Sequence, residues 1–321
     1  MKQLGKRYFY VLFFIIGWIA TVLSDGRYDL VIPLLNNYQR PFTVLDIGAV
    51  DYGSCSCAIA HKYEAVCVMV SIDDLVPVCK AQHNLDSLIA LHTFLAPKQL
   101  RHLGECEHFD VVLAFDFFKN YGSCWQDAID AFVTMGDHVI IEIPCNNISM
   151  KTYVEKKGGC FLGTVCNEQS FFAELYEITL SNQSLKRTTW FRPACDDEHY
   201  YIESSFERKQ LIKHFYEYTE WVPGINLCTF KMCHGSYPTT AMLKEQLKKL
   251  DDKQHTDWFM NNIIVQGNKL ALIDGTDAER SIFFNEKVLQ AHVIMLDLQD
   301  PEDIEAYFFN KLVNVDFWVE N

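Results

Sequence analysis

Phe42-Thr-Val-Leu-Asp-Ile-Gly-Ala-Val-Asp-Tyr-Gly53 is the stretch whose reading decides the fold. Thr43–Leu45 is a short apolar run rich in β-branched residues, which predicts a strand. Asp46 and Gly48 lead from it into a turn of small residues. Cys57-Ala-Ile-Ala-His-Lys62 then follows with a helical pattern. Strand, glycine turn and helix in that order open an α/β sheet that takes a ligand at the turn. Glycine lets the backbone come close to the ligand, and the helix start presents free N–H groups. An acid ahead of the glycine selects an amino or hydroxyl donor rather than a phosphate.

Outward from this unit the pattern alternates. Ala65–Val70 reads as a second strand, Val76–Leu85 as a helix and Ile89–Phe94 as a third strand. Phe109–Phe115 reads as a fourth strand. Trp125–Met135 is a helix with Ala128, Phe132 and Met135 on one face, and His138–Ile143 is a fifth strand. Ser149–Lys157 is a further helix, stopped by Gly158-Gly159. Such alternation implies a parallel sheet covered on both faces. Leu175–Leu180 and Leu185–Phe191, on either side of Asn182-Gln-Ser184, predict an antiparallel hairpin. The fold class expected is therefore α/β: a doubly wound, mostly parallel sheet closed by an antiparallel terminal hairpin, followed by a smaller α+β domain. Composition shifts at Arg192-Pro-Ala-Cys-Asp-Asp-Glu198, which puts the domain boundaries at 25–193 and 194–321.

Val44-Leu-Asp-Ile-Gly-Ala49 resembles the first motif of class I S-adenosylmethionine-dependent methyltransferases. Phe109-Asp-Val-Val-Leu-Ala114 and Gly136-Asp-His-Val-Ile-Ile-Glu142 are similar to later strands of that family, so the resemblance spans 25–193. It implies S-adenosylmethionine as cofactor, a small-molecule or glycan acceptor, and a Rossmann-like methyltransferase fold. Carried over residue by residue, the cofactor-binding positions are Asp46, Gly48, Gly53, Asp73 and Asp116. The family's second glycine falls four residues after the first. That position is Tyr52 here, and Gly53 comes one later. Ser71 holds the slot directly after the second strand, and Asp73 is the nearest acid beyond it that the resemblance can assign to the ribose. Asp116-Phe-Phe-Lys-Asn120 contains no evident base, and in-line methyl displacement needs chiefly positioning.

Lys2, Lys6 and Arg7 precede an uncharged apolar run, Tyr8–Leu23, with Val22 and Ser24 placed as at a signal-peptidase site. Residues 1–24 are expected to be a signal peptide or a membrane anchor. The rest of the chain is then exported or membrane-anchored, and cytoplasmic if the segment is not used. Membrane association through residues 8–23 follows from the same run. The chain carries 28 basic and 42 acidic residues, a net charge of −14, which argues against nucleic acid as a partner. None of the 12 cysteines forms a CxxC pair, so a zinc site is not expected.

Thr240–Leu250 predicts an amphipathic helix capped by Thr239 or Thr240. Beyond it lie His255-Thr-Asp257-Trp-Phe-Met-Asn-Asn262 and Leu270-Ala-Leu-Ile-Asp274. His-x-Asp-x-x-x-x-Asn, then an apolar strand ending in Asp, resembles the catalytic loop and metal-binding acid of protein kinases and aminoglycoside phosphotransferases. The resemblance implies Asp257 as catalytic base and Asn262 and Asp274 as metal ligands for Mg-ATP. Neither a glycine-rich phosphate loop nor a strand lysine paired with a helix glutamate accompanies this motif. Three functions are carried forward: a methyltransferase, a phosphotransferase, and a catalytically inactive exported binding protein.

Overall fold

The computed structural model describes residues 26–38, 41–82, 86–166, 172–180, 186–188, 218–220, 222–251, 263–272 and 292–307. The first seven strands are β1 (Phe42–Ile47), β2 (Ala65–Ser71), β3 (Leu88–His92), β4 (Phe109–Ala114), β5 (Gly136–Pro144), β6 (Cys160–Cys166) and β7 (Phe172–Thr179). Lys186–Thr188 (β8) pairs with Tyr218–Glu220 (β9) in a separate ribbon. Ile225–Asn226 (β10), Gly235–Tyr237 (β11), Ile263–Gln266 (β12) and Lys269–Leu272 (β13) follow. The main sheet has the order β11-β3-β2-β1-β4-β5-β7-β6. Strands β3, β2, β1, β4 and β5 are parallel neighbours, and β7 runs antiparallel between β5 and β6.

Every residue of β1, β2 and β4 is buried, as expected of central strands covered on two faces. One face is covered by α1 (Gly26–Leu35), α2 (Val50–Lys62) and α3 (Val76–Ala81). The other is covered by α4 (Pro97–Cys106), α6 (Trp125–Met135) and α7 (Ile148–Lys156), with the short α5 (Phe118–Tyr121) before α6. Helix α6 buries Ala128, Ile129, Ala131, Phe132 and Met135, the stripe its sequence spacing implies. Helix α7 begins at Asn147, whose side-chain oxygen accepts the Met150 N–H at 3.1 Å.

The closing hairpin is β6–β7, and this corrects one pairing read from the sequence. Leu175–Leu180 falls largely in β7, but its partner precedes it. Of the segment after it, the described residues Lys186–Thr188 (β8) pair with β9. β6 is the edge strand and is exposed along most of its length, so burial imposes no apolar alternation on Cys160–Cys166 for a sequence reading to detect.

The described segments from Val222 onward are built onto the first sheet. β10, β12 and β13 form a three-stranded antiparallel sheet, accompanied by α8 (Leu227–Met232) and α9 (Thr240–Asp251). The expected cap of α9 is present, with Thr239 Oγ1 accepting the Met242 N–H. β11 adds to the main sheet beside β3. At the amino ends of the strands the Gly224 N–H donates to Thr43 Oγ1 at 2.7 Å, and the Thr43 N–H donates to Asp110 Oδ2 at 2.7 Å. Glu107 Oε1 accepts both the backbone N–H of Asn226, at 2.8 Å, and its side-chain amide. Asn226 in turn caps α8 by accepting the Thr229 N–H. The expected boundary at 193/194 lies outside the described residues.

Glu107 is 2% exposed, so removing its carboxylate leaves two buried donors of Asn226 without that acceptor. Glu107→Ala is expected to cost about 1–3 kcal/mol in urea unfolding, and Glu107→Gln less. An unchanged unfolding midpoint in Glu107→Ala would show that this junction does not hold the two parts together.

Among the described residues Cys57, Cys67 and Cys79 are buried thiols. Burial, with smaller contributions from Cys79 and Asp46, pushes the Cys57 thiol up to about 12. Cys67 is fully buried and is also pushed up by burial. These behave as small apolar residues of the core.

Candidate functional site

The carboxyl ends of β1, β2, β4 and β5 form one edge, where ligands of such sheets bind. Asp46 lies in β1 and is 1% exposed. Its Oδ2 accepts a hydrogen bond from Ser56 Oγ of α2 at 2.6 Å, which ties the end of the strand to the helix after the turn. The Gly48 N–H donates to Val70 O at 3.0 Å, so the turn stays in register with β2. Gly48 has φ +93°, and a Cβ there would stand 3.1 Å from Phe115 O. Ile47 and Ala114 are register partners, so the turns after β1 and β4 are neighbours.

Backbone strain collects at this place. Ala49, in the first turn, has φ +28°, and Asp116, just past β4, has φ +51°. Non-glycine residues held there cost about 1–3 kcal/mol each and cluster at ligand sites. Gly53 has φ +70°, and a side chain on it would run into Met69 Sδ of β2. Its bareness is therefore a packing requirement that seats α2 on the sheet.

The acids read from the sequence separate here into different environments. Asp46 is buried and Asp116 half-buried, at the ends of adjacent strands. Asp73 is exposed, and its N–H donates to Ser71 Oγ at 3.0 Å. Asp74 is occupied at the start of α3, where Oδ1 accepts the Val76 N–H at 3.0 Å. Ile72, between Ser71 and Asp73, is exposed, and its carbonyl lies 2.9 Å from His92 Nε2.

Three site residues were missed in the sequence. Ser56 is one. The other two form a buried pair: Arg27 of α1 contacts Glu142 of β5 through Nε–Oε2 at 2.9 Å and Nη2–Oε1 at 3.2 Å. They are 3% and 1% exposed. The Arg27 guanidinium also lies 5.5 Å from the Phe115 ring centre. Burial raises Glu142 above the usual carboxylate range, Arg27 opposes that, and Asp116 adds to it. The pair holds α1 across the edge between the β4 and β5 ends. Glu142 was legible as a lone charge in the apolar run His138–Ile143. Arg27 was not, because Gly26–Leu35 contains Pro33 and few helix signals.

Asp257, Asn262 and Asp274 lie outside the described residues. Among the described residues no group of three His, Cys, Asp or Glu side chains could hold a metal ion, and no helix is long and apolar enough to cross a membrane.

No family model matches the sequence, and no curated protein sequence matches it. Among solved structures the chain is similar to a SAM-dependent methyltransferase from Agrobacterium tumefaciens, with 11% identity over 48% of this chain and a TM-score of 0.37. The chain spans 60% of that protein's length. It is also similar to precorrin-6y C5,15-methyltransferase from Geobacter metallireducens, with 12% identity, 47% of this chain, 87% of that one and a TM-score of 0.36. WbdD, solved with a kinase inhibitor, shows 14% identity over 78% of this chain and 73% of its own, with a TM-score of 0.37. The architecture is a Rossmann-like methyltransferase fold with a second, antiparallel sheet, and that assignment rests on the strand order and register of the chain itself.

Proposed function

We propose that the chain is an S-adenosylmethionine-dependent methyltransferase acting on a small molecule or a glycan. The observation that carries the reading is the strained pair of turns at Gly48–Ala49 and Asp116, side by side at the sheet's carboxyl edge over the buried Asp46. The residues present fit the cofactor. Gly48 offers a backbone surface that a Cβ would fill, and Asp46 supplies negative charge behind it. Ile72 offers apolar surface to a purine, and Asp73 is an exposed carboxylate for the ribose hydroxyls. S-adenosylmethionine, when bound, supplies an electrophilic methyl group on a sulfonium centre.

In this reading the chain's own residues position and exclude water. Ser56 fixes the Asp46 carboxylate, and Gly48 and Ala49 carry the amino-acid end of the cofactor. Asp116, beside the buried Glu142, stands on the acceptor side and orients a donor group of the acceptor. Arg27 and Glu142 clamp α1 over that side and keep it dry. Loss of the charge-assisted bonds to Asp46 in Asp46→Ala should weaken S-adenosylmethionine binding by about 1.5–3 kcal/mol in calorimetry. Unchanged affinity with an intact fold would remove Asp46 from the site.

A second reading, phosphotransfer from Mg-ATP, draws on one described feature. The β12–β13 hairpin, with Ile263 paired to Leu272, falls in sequence between Asn262 and Asp274. If these two hold the metal of Mg-ATP, with Asp257 as catalytic base, millimolar magnesium with ATP should raise the unfolding temperature of the full chain. Saturation at a hundredfold excess over Kd is worth about 2.7 kcal/mol. The shift should vanish in Asp274→Asn, and a flat response in the unsubstituted chain would discard the reading.

A further inference from the structure

The backbone leaves β4 through one peptide group that is held from two sides. Pairing between β4 and β5 ends at Ala114 and Ile141, so Glu142 of β5 comes next to Phe115. The Asp116 N–H donates to the Glu142 carboxylate, which lowers the carboxyl against the rise that burial imposes. The carbonyl of the same peptide faces the turn after β1, where a Cβ built on Gly48 would stand 3.1 Å from Phe115 O. The N–H and C=O of a trans peptide point in opposite directions. Glu142 therefore takes one end of this dipole, and the Gly48 turn meets the other.

The Glu142 carboxylate is itself fixed. Arg27 meets both of its oxygens, at 2.9 Å from Nε and 3.2 Å from Nη2. The guanidinium also lies 5.5 Å from the ring centre of Phe115, which is fully buried. The peptide thus has its N–H on a braced carboxylate and the preceding ring beside the same guanidinium. Flipping it would turn the Phe115 carbonyl onto that carboxylate, two buried acceptors face to face, at the cost of the lost bond. Asp116 keeps its strained φ of +51° in this setting, and such strain persists only where the surroundings hold it.

We infer that Glu142, braced by Arg27, is a positioning residue for the ligand turn: it orients the Phe115–Asp116 peptide so that a carbonyl oxygen, not an N–H, borders Gly48. The inference rests on the S-adenosylmethionine reading above, in which the amino-acid end of the cofactor lies at Gly48 and Ala49. An oxygen at that border favours the ammonium of that end and disfavours its carboxylate. Both side chains act through the peptide rather than on the ligand.

The test compares two double variants of the full chain. Arg27→Met/Glu142→Leu replaces the ion pair with apolar side chains and takes the acceptor away from the Asp116 N–H. Arg27→Met/Glu142→Gln removes the same two charges but leaves an amide oxygen at position 142. Urea midpoints show which variants are folded. In calorimetry the Leu variant should bind S-adenosylmethionine at least tenfold more weakly, and the Gln variant should regain most of the affinity. Affinity undiminished in the folded Leu variant, or lost equally in both folded variants, would overturn the inference. Amide-proton NMR supplies a readout that needs no ligand. The Asp116 amide proton should move upfield and exchange about tenfold faster in the Leu variant than in the unsubstituted chain. An Asp116 amide that neither shifts nor exchanges faster would overturn the positioning role, whether or not the Gln variant folds. Absence of S-adenosylmethionine binding in the unsubstituted chain would remove the cofactor reading, and the amide comparison would still decide what Glu142 holds.

Discussion

Arg27→Met should destabilise the chain by about 3–5 kcal/mol, because it strands the Glu142 carboxylate in a site with 1% exposure. Removing one partner of a buried ion pair costs more than the pair contributes, since the remaining charge keeps its desolvation penalty. Asp116 makes the case stronger. Its negative charge already opposes that of Glu142, and Arg27 is the cation that offsets the Glu142 charge. Two outcomes should accompany the loss. Glu142→Leu alone should remove the buried carboxylate opposite Arg27 and cost a similar amount. The double variant Arg27→Met/Glu142→Leu should recover much of the stability, because an apolar pair of similar volume packs without charge. Urea midpoints of the four proteins close the cycle. Additive losses in the double variant would mean that the two residues act separately and that α1 is not fastened by them.

Gly48→Val should abolish measurable S-adenosylmethionine binding while the sheet remains folded. The physical reason has two parts. Gly48 sits at φ +93°, where a β-branched residue is strained, at a cost of about 1–3 kcal/mol. Its added Cβ would press on Phe115 O from 3.1 Å, and the larger side chain would fill the backbone surface offered to the cofactor. Gly48→Ala should show a milder form, with affinity reduced at least tenfold, or about 1.4 kcal/mol. Far-ultraviolet circular dichroism separates lost binding from lost fold. Undiminished affinity in Gly48→Val would place the ligand elsewhere.

The parts of the fold that were legible in the sequence are those that burial dictates. β1, β2, β4 and β5 are buried on two faces and so must be apolar, and their runs stand out between turns. Helix α6 was readable residue by residue because one stripe of it faces the core. Elements under weaker constraint were not legible. β6 is exposed along most of its length, and α4 is a mostly polar helix started by Pro97 with Gln99 bonded back to the Ala96 N–H. β11 joins the sheet through backbone bonds at an edge, and two of its residues are only partly buried, so its side chains carry no signal.

The site divides in the same way. The Asp46–Gly48 turn was legible because its local chemistry, strand to glycine to helix, is written in consecutive residues. Ser56, Arg27 and Glu142 reach the edge from 10, 19 and 96 residues away, counted from Asp46, and meet only through the tertiary fold. Gly53 was read as a cofactor contact, whereas its environment adds a reason of packing against Met69. The sequence assigns Asp73 to the ribose because it is the nearer of two consecutive acids to Ser71. The structure separates them, with Asp74 spent on α3 and Asp73 left at the surface.

The most direct measurement of the central claim is isothermal calorimetry of the full chain with S-adenosylmethionine, alongside Gly48→Val. The account predicts saturable binding at one site per chain, absent from the folded Gly48→Val variant. No heat of binding from the unsubstituted, folded chain would contradict it.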